Sequence, residues 1–211
     1  GAGLPIVWGN ATRFFTVDII PSPLRNGEGI AGLATWLGDL LWYQALPGIG
    51  TTLVLTQIAL VGTGIVALLT FPLISRLFVD RFLQVPGHGL LIIGRSVPEY
   101  LLAYILLQLW GPSMLPAVVA LVIHNGTIIG HLIGRQSSTL KLRPDVVSGF
   151  NCYTYEAVPR LYRSFLSFLL YRWEIIMRET AILGILGITT LGFYVDSAIQ
   201  ELRFDRAIVL I

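Results

Sequence analysis

Apolar residues run along this chain in blocks too long for a water-soluble core, with polar residues gathered at the block ends. From Leu40 to Ser75 no residue is charged. A membrane-crossing helix needs roughly 20 apolar residues, so a first clear span is predicted at Ile49–Ser75, closed by Arg76, Asp80 and Arg81. Pro72 near its end is tolerable in a membrane helix. A second span is predicted at about Pro86–Trp110 and a third at Ser113–Ile133, with Gly111-Pro112 as the turn between them. Residues 134–160 form the longest polar stretch. A fourth span starts near Leu161 and runs past Tyr171, becoming glycine-rich from Gly184 to Gly192. After polar residues 196–206, a fifth begins at Ala207 and reads as cut off at Ile211.

Before the first span, Pro5, Pro21, Pro23, Gly27 and Gly29 interrupt any long helix. Gly29–Tyr43 is apolar and carries Trp36, Trp42 and Tyr43, rings suited to a headgroup interface. A helix lying near the membrane surface and a loop packed on the bundle fit this stretch equally well. The fold class is therefore an all-α membrane protein, a polytopic helical bundle of about five spans, the last truncated. Residues 1–48 form an extracytoplasmic or interfacial lead-in and 49–211 the membrane domain. The chain opens on Gly1-Ala2-Gly3, with no methionine and no leader pattern, so the sequence reads as a fragment at both ends.

Composition agrees with lipid as the solvent. Of 211 residues 55% are apolar and only 12% charged, against about 25% charged in a typical soluble domain. Mean hydropathy is +0.75. Basic residues orient the spans: Arg76, Arg81, Arg135, Lys141, Arg143, Arg160 and Arg163 fall on one side. Only Arg13, Arg25, Arg203 and Arg206 fall on the other, beside acids. By the positive-inside rule, residues 76–81 and 134–160 face the cytoplasm. No basic, aromatic-rich polar segment suggests nucleic-acid binding. The single cysteine, Cys152, permits no internal disulfide.

Several kinds of chemistry lack their motifs. The sequence has no phosphate-cradling loop of the G-x-x-x-x-G-K-[ST] type, no H-E-x-x-H or Cys/His cluster, and no G-x-S-x-G elbow. What stands out is charge inside the spans, which costs at least about 2.5–3.5 kcal/mol per residue at mid-membrane. Arg95 and Glu99 are four apart and are expected to pair on one helix face. Glu174 and Arg178 have the same spacing, and Arg172 shares a face with Glu179 two turns on. These residues either line a translocation path or lock the bundle by interhelical pairing. His124, Asn125 and His131 lie in the third span, where His124 and His131 share a face. A proton relay would use them, and so would plain hydrogen bonding between helices. The 134–160 excursion is too long for a tight turn between packed helices, and it has room for a short docking helix.

The order of these features resembles the phosphonate-type permeases of ABC importers, the PhnE family. Residues 94–110, with Arg95-Ser96-Val97-Pro98-Glu99, are similar to that family's Arg-x-x-Pro-Glu segment. Tyr171, Arg172, Glu174 and Arg178 match its Tyr-Arg-x-Glu run and the arginine that follows. Phe14-Phe15 with Pro21-Ser22-Pro23, Thr51-Thr52-Leu53 with Gly62-Thr63, His124, Gly130, and Arg203-Phe204-Asp205-Arg206 also fall where the family has like residues. The resemblance covers nearly the whole chain.

It implies a type I importer permease of the bacterial inner membrane. Such a subunit works as a homodimer, with ABC ATPase subunits below and a periplasmic or extracellular substrate-binding protein outside. The chain itself would have no catalysis and no cofactor, since ATP sits on the partner. The cargo would be phosphonate or a related phosphorus oxyanion. Arg95, Glu99, His124, Arg172, Glu174 and Arg178 would belong to the path or bundle core. Asp145, Gly149, Tyr155, Glu156 and Pro159 would belong to the ATPase-coupling segment. Gly149 fits the glycine of the family's coupling motif, whereas Arg143, Pro144 and Asp145 replace the motif's Glu-Ala-Ala start, and Pro159 arrives early. Two other classes stay open: a proton-coupled secondary transporter, and a degenerate membrane subunit that transports nothing.

Overall fold

The computed structural model describes residues 4–111, 113–143 and 149–211, and those residues form helices and connections with no strand among them. In chain order the α-helices are α1 (Leu4–Arg13), α2 (Ser22–Arg25), α3 (Gly29–Leu40), α4 (Leu46–Thr70) and α5 (Arg81–Ser96). They continue with α6 (Glu99–Trp110), α7 (Met114–Ser137), α8 (Val158–Ile182), α9 (Leu191–Gln200) and α10 (Phe204–Leu210). Short π-helical turns occupy Phe14–Asp18, Leu41–Ala45 and Cys152–Ala157, and 3-10 turns occupy Phe71–Ile74 and Leu183–Leu186. Two helical stretches, Gly29–Ile74 and Met114–Ser137, are long and apolar enough to cross a membrane. Two broken pairs raise the number to four if each counts as one crossing: α5 with α6, and the run from Cys152 to Leu186 with α9.

Three boundaries differ from the sequence reading, each for a local reason. The apolar stretch Gly29–Tyr43 is not separate from the first span, because helix continues from Gly29 through a π turn into α4. Pro47 lacks the N–H that an α-helix would send back one turn, and the π turn Leu41–Ala45 just ahead of it absorbs the mismatch. The same device recurs where the π turn Cys152–Ala157 precedes Pro159.

The single span predicted over Pro86–Trp110 is two helices bent by 92°. Pro98 disfavours the α conformation at the residue before it; here Val97 is extended (φ −80°, ψ 120°) and α5 stops at Ser96. Lastly, the 134–160 excursion is mostly helical. α7 runs to Ser137 and helix resumes at Phe150, leaving Ser138–Arg143 irregular among the described residues.

The chain divides into two compact units. One comprises the described residues up to Leu53 together with Ala181–Ile211. In it Leu40, Ala45 and Leu210 pack with Trp36, Leu191, Tyr194 and Val195. The Ser22 amide donates to the buried Asp205 carboxylate (3.1 Å), and the Leu191 amide donates to Thr52 Oγ1 (3.1 Å). Gly48 lets α4 approach α9, where an added Cβ would stand 3.0 Å from Leu191 Cα.

The other unit, Val54–Thr180, carries most of the charged residues the sequence singled out. Its core joins Ala67, Phe71, Ile129, Ile133, Ala157, Leu161 and Phe165. α7 packs against both α5 and α6 and against the Phe71–Ile74 turn. Gly126, Gly130 and Gly134 recur every four residues and so line one face of α7. A Cβ on Gly126 would meet Val66 Cγ1 at 2.6 Å, and one on Gly134 would meet the Phe71 carbonyl at 2.8 Å. Small residues every fourth position let backbones close up where lipid offers no hydrophobic drive to associate. In this unit the buried positions of α4 are Leu55, Thr56, Ala59, Thr63, Gly64 and Ala67, while Val54, Ile58, Val61, Ile65 and Leu69 face outward. Leu55 apart, large apolar groups lie outside and small or hydroxylated ones inside, which suits a lipid surround.

Candidate functional site

The centre of the second unit is Asn125, wholly buried on α7. Arg172 of α8 donates from Nη1 to Asn125 Oδ1 at 3.0 Å. Asn125 Nδ2 in turn donates to Glu179 Oε2 at 2.8 Å and to the Leu121 carbonyl at 3.1 Å. A carboxamide carries both an acceptor and two donors, so one neutral side chain serves a cation and an anion at once. Arg172 and Glu179 sit seven residues apart, about two turns along α8, and the amide is inserted between them. Both charged groups are half-buried.

The neighbouring His124 ties α7 to the elbow between α5 and α6. Its Nδ1 lies 2.9 Å from the Val97 carbonyl oxygen, and since a carbonyl only accepts, Nδ1 carries the hydrogen. Its Nε2 then faces Glu99 Oε2 at 3.7 Å. Extended backbone at Val97 and helix start at Glu99 place that carbonyl and that carboxylate side by side. The Pro98 break thus builds the histidine's surroundings.

The pairing expected between Arg95 and Glu99 does not form. The two residues lie on different helices across a 92° bend, Glu99 turns to His124, and Arg95 is exposed. Glu174 and Arg178 do pair, at 2.7 Å, on an exposed face of α8 with about 70% of each side chain accessible. Arg172 and Glu179 share a face as the spacing predicts, with Asn125 as the intermediary. The spacing could not supply that intermediary, because it comes from another helix. The glycine face of α7 went unread, although its Gly-x-x-x-Gly-x-x-x-Gly period is plain at residues 126–134.

Of the expected coupling residues, Asp145 lies outside the described residues. Gly149 has φ +88°, a left-handed conformation that favours glycine, and open space around it. Tyr155 is exposed at 76%. Glu156 is buried and lies 2.6 Å from Arg160 and 3.5 Å from Arg143, while Arg160 Nη1 also donates to the Lys141 carbonyl (2.9 Å). Pro159 is exposed in the first turn of α8. Tyr153 anchors the segment: its ring stacks on Phe71 at 5.3 Å and its hydroxyl donates to the Leu68 carbonyl at 3.1 Å. The region is therefore clamped to the end of α4 by an aromatic ring and closed on itself by Glu156.

No family model matches this sequence, and no solved structure does. Two curated proteins do. The phosphate-import permease protein PhnE of Mycolicibacterium smegmatis is 23% identical over 209 residues, 93% of this chain and 39% of that protein. The phosphite transport system permease protein PtxC of Stutzerimonas stutzeri is 22% identical over 123 residues, 56% of this chain and 45% of that protein. The chain thus spans less than half the length of either relative. Both names are those of permeases, and the bundle of apolar-faced helices agrees with them. The chain is thus similar to PhnE-like permeases, and it is an all-α polytopic membrane protein whose curated relatives are transport subunits rather than enzymes.

Proposed function

We propose that this chain forms part of the gated path of an ATP-driven importer for a phosphorus oxyanion. Phosphate, phosphite and phosphonate are the candidate cargoes. The observation that carries the reading is the Arg172–Asn125–Glu179 bridge, set beside the His124–Glu99 pair among helices whose outer faces are apolar. Groups this polar persist within apolar helices when they are paired or when they border a polar route. Here the charged members are half-buried around the buried Asn125, arranged across helices, and linked by hydrogen bonds that a small relative movement of α7 and α8 would break and remake. Arg95, exposed at the end of α5, and the outward Glu174–Arg178 pair are the remaining charges available to line a route completed by a second copy of the chain.

ATP would be hydrolysed on ABC ATPase subunits docked at residues 134–160, and cargo would arrive from a substrate-binding protein on the opposite face. The bacterial inner membrane is the corresponding location, and a homodimer the corresponding assembly. The clamp made by Tyr153, Phe71 and Glu156 supports this assignment, because a docking element must pass force into the helices rather than flex. Gly149 is the natural test. In proteoliposomes holding the full-length permease, its ATPase and its binding protein, Gly149→Leu is expected to cut ATP-driven phosphate or phosphonate uptake at least tenfold. Thermal unfolding of the permease should fall only slightly, by the strain of a side chain at φ +88°. ATPase activity still stimulated normally by loaded binding protein would refute the coupling role.

The His124–Glu99 contact favours a second reading, a proton-coupled carrier. That reading requires uptake driven by a pH gradient in vesicles with no ATPase, and uptake strictly dependent on ATP excludes it.

A further inference from the structure

A separate cavity of about 350 Å³ opens in the second unit, between the Arg76 turn, the first half of α5 and the C-terminal end of α7. Its described lining is basic and polar: Arg76, Gln84, His88, Arg135, Ser138 and Thr139, with Ile74 at its wall and no carboxylate. Neither the Arg76 nor the Arg135 guanidinium makes an ion pair or hydrogen bond among the described residues. Gln84 uses one amide hydrogen on the Val79 carbonyl at 3.0 Å and keeps the other. The Ser138 hydroxyl is occupied, accepting from the Arg76 amide (3.2 Å) and donating to the Gly134 carbonyl (3.1 Å). It therefore fixes the wall, and the guanidinium and imidazole groups are left to act as donors. Behind His88 stands His131, buried, with its ring 5.7 Å away edge-on and its Nδ1 lacking any hydrogen-bond partner.

Two unpaired arginines converging on one polar cavity create a site that wants an anion. Guanidinium forks match tetrahedral oxyanions in geometry as well as charge. The negative end of the α7 dipole opposes an anion here, but as a partial charge it is outweighed by two full cations. We propose that this cavity binds a tetrahedral phosphorus oxyanion, held by Arg76, Arg135 and His88. The chemistry is that of a phosphate group, whether free phosphate in the aqueous phase or the headgroup of an anionic lipid.

The test is an equilibrium one, made on the full-length permease without its ATPase, so its failure and the failure of the transport reading are separate events. The protein, with isotope-labelled histidine, is placed in phosphatidylcholine nanodiscs and titrated with inorganic phosphate while the His88 and His131 imidazole resonances are followed. A saturable shift is expected. Arg76→Gln and Arg135→Gln should each weaken it by about tenfold, one charge-assisted contact, and Arg135→Lys should retain most of it. In a second arm the nanodiscs contain phosphatidylglycerol and the buffer no phosphate. The same shift there identifies the lipid headgroup as the source, and its appearance only with added phosphate identifies the free anion. Absence of a saturable response in both arms overturns the proposal, as does binding unchanged in the double glutamine variant. Should the glutamine variants fail to fold, the wild-type titration still decides.

Discussion

α8 carries two ionic groups of similar composition and opposite circumstance. Glu174 and Arg178 satisfy each other one turn apart on an exposed face. Arg172 and Glu179, two turns apart, satisfy each other only through Asn125 of α7. The first pair is local, formed by any helix with that spacing. The second exists only when α7 and α8 are docked, so it reports on and contributes to tertiary structure. A helix can thus carry one charge set for its own solvation and another for its neighbours, distinguished by exposure rather than by residue type.

Removing the amide should break the contrast most severely. Asn125→Leu leaves a half-buried cation and anion each without its hydrogen bond, and bonds to charged groups contribute about 1.5–3 kcal/mol apiece. A loss of about 3 kcal/mol is expected, read from equilibrium unfolding of the purified permease in mild detergent. A finer measurement is the cycle of Arg172→Leu, Glu179→Leu and the double variant. Because the two share a bridging residue, a coupling of about 1 kcal/mol is expected although they never touch, and strict additivity would show the bridge to be inert. The smallest effect belongs to the exposed pair: Glu174→Ala should change stability by less than about 0.5 kcal/mol, as such i,i+4 pairs do. A larger loss in the isolated permease would mean that α8 uses both faces for folding.

The sequence announced the bundle because a long uncharged block has few alternatives to a membrane helix. It also announced which charges share a face, since helical period alone decides that. It could not announce Asn125 as a bridge, or the meeting of His124 with Glu99, because those depend on which helices become neighbours. The Arg95–Glu99 expectation fails at one residue, Pro98: a proline biases its predecessor towards extended backbone, but Leu46 and Val158 stay helical before Pro47 and Pro159, so the sequence alone does not say which proline breaks its helix. The 134–160 excursion differs in extent. A short docking helix is the expectation there, and Glu156 and Arg160 do decorate helix, continuous with α8.

The arrangement of α4 against the glycine-lined face of α7 sets two different rules for what each surface tolerates. On the inner side volume is what matters, and at Gly126 or Gly134 even a methyl group has no room, whatever its polarity. On the outer stripe from Val54 to Leu69, exposed and apolar, the bulk of a side chain is free to vary while charge is costly, as on any surface that faces lipid. A water-soluble protein relaxes both demands at its periphery. Here each face keeps one of them, so the permissible alphabet changes on crossing a single helix.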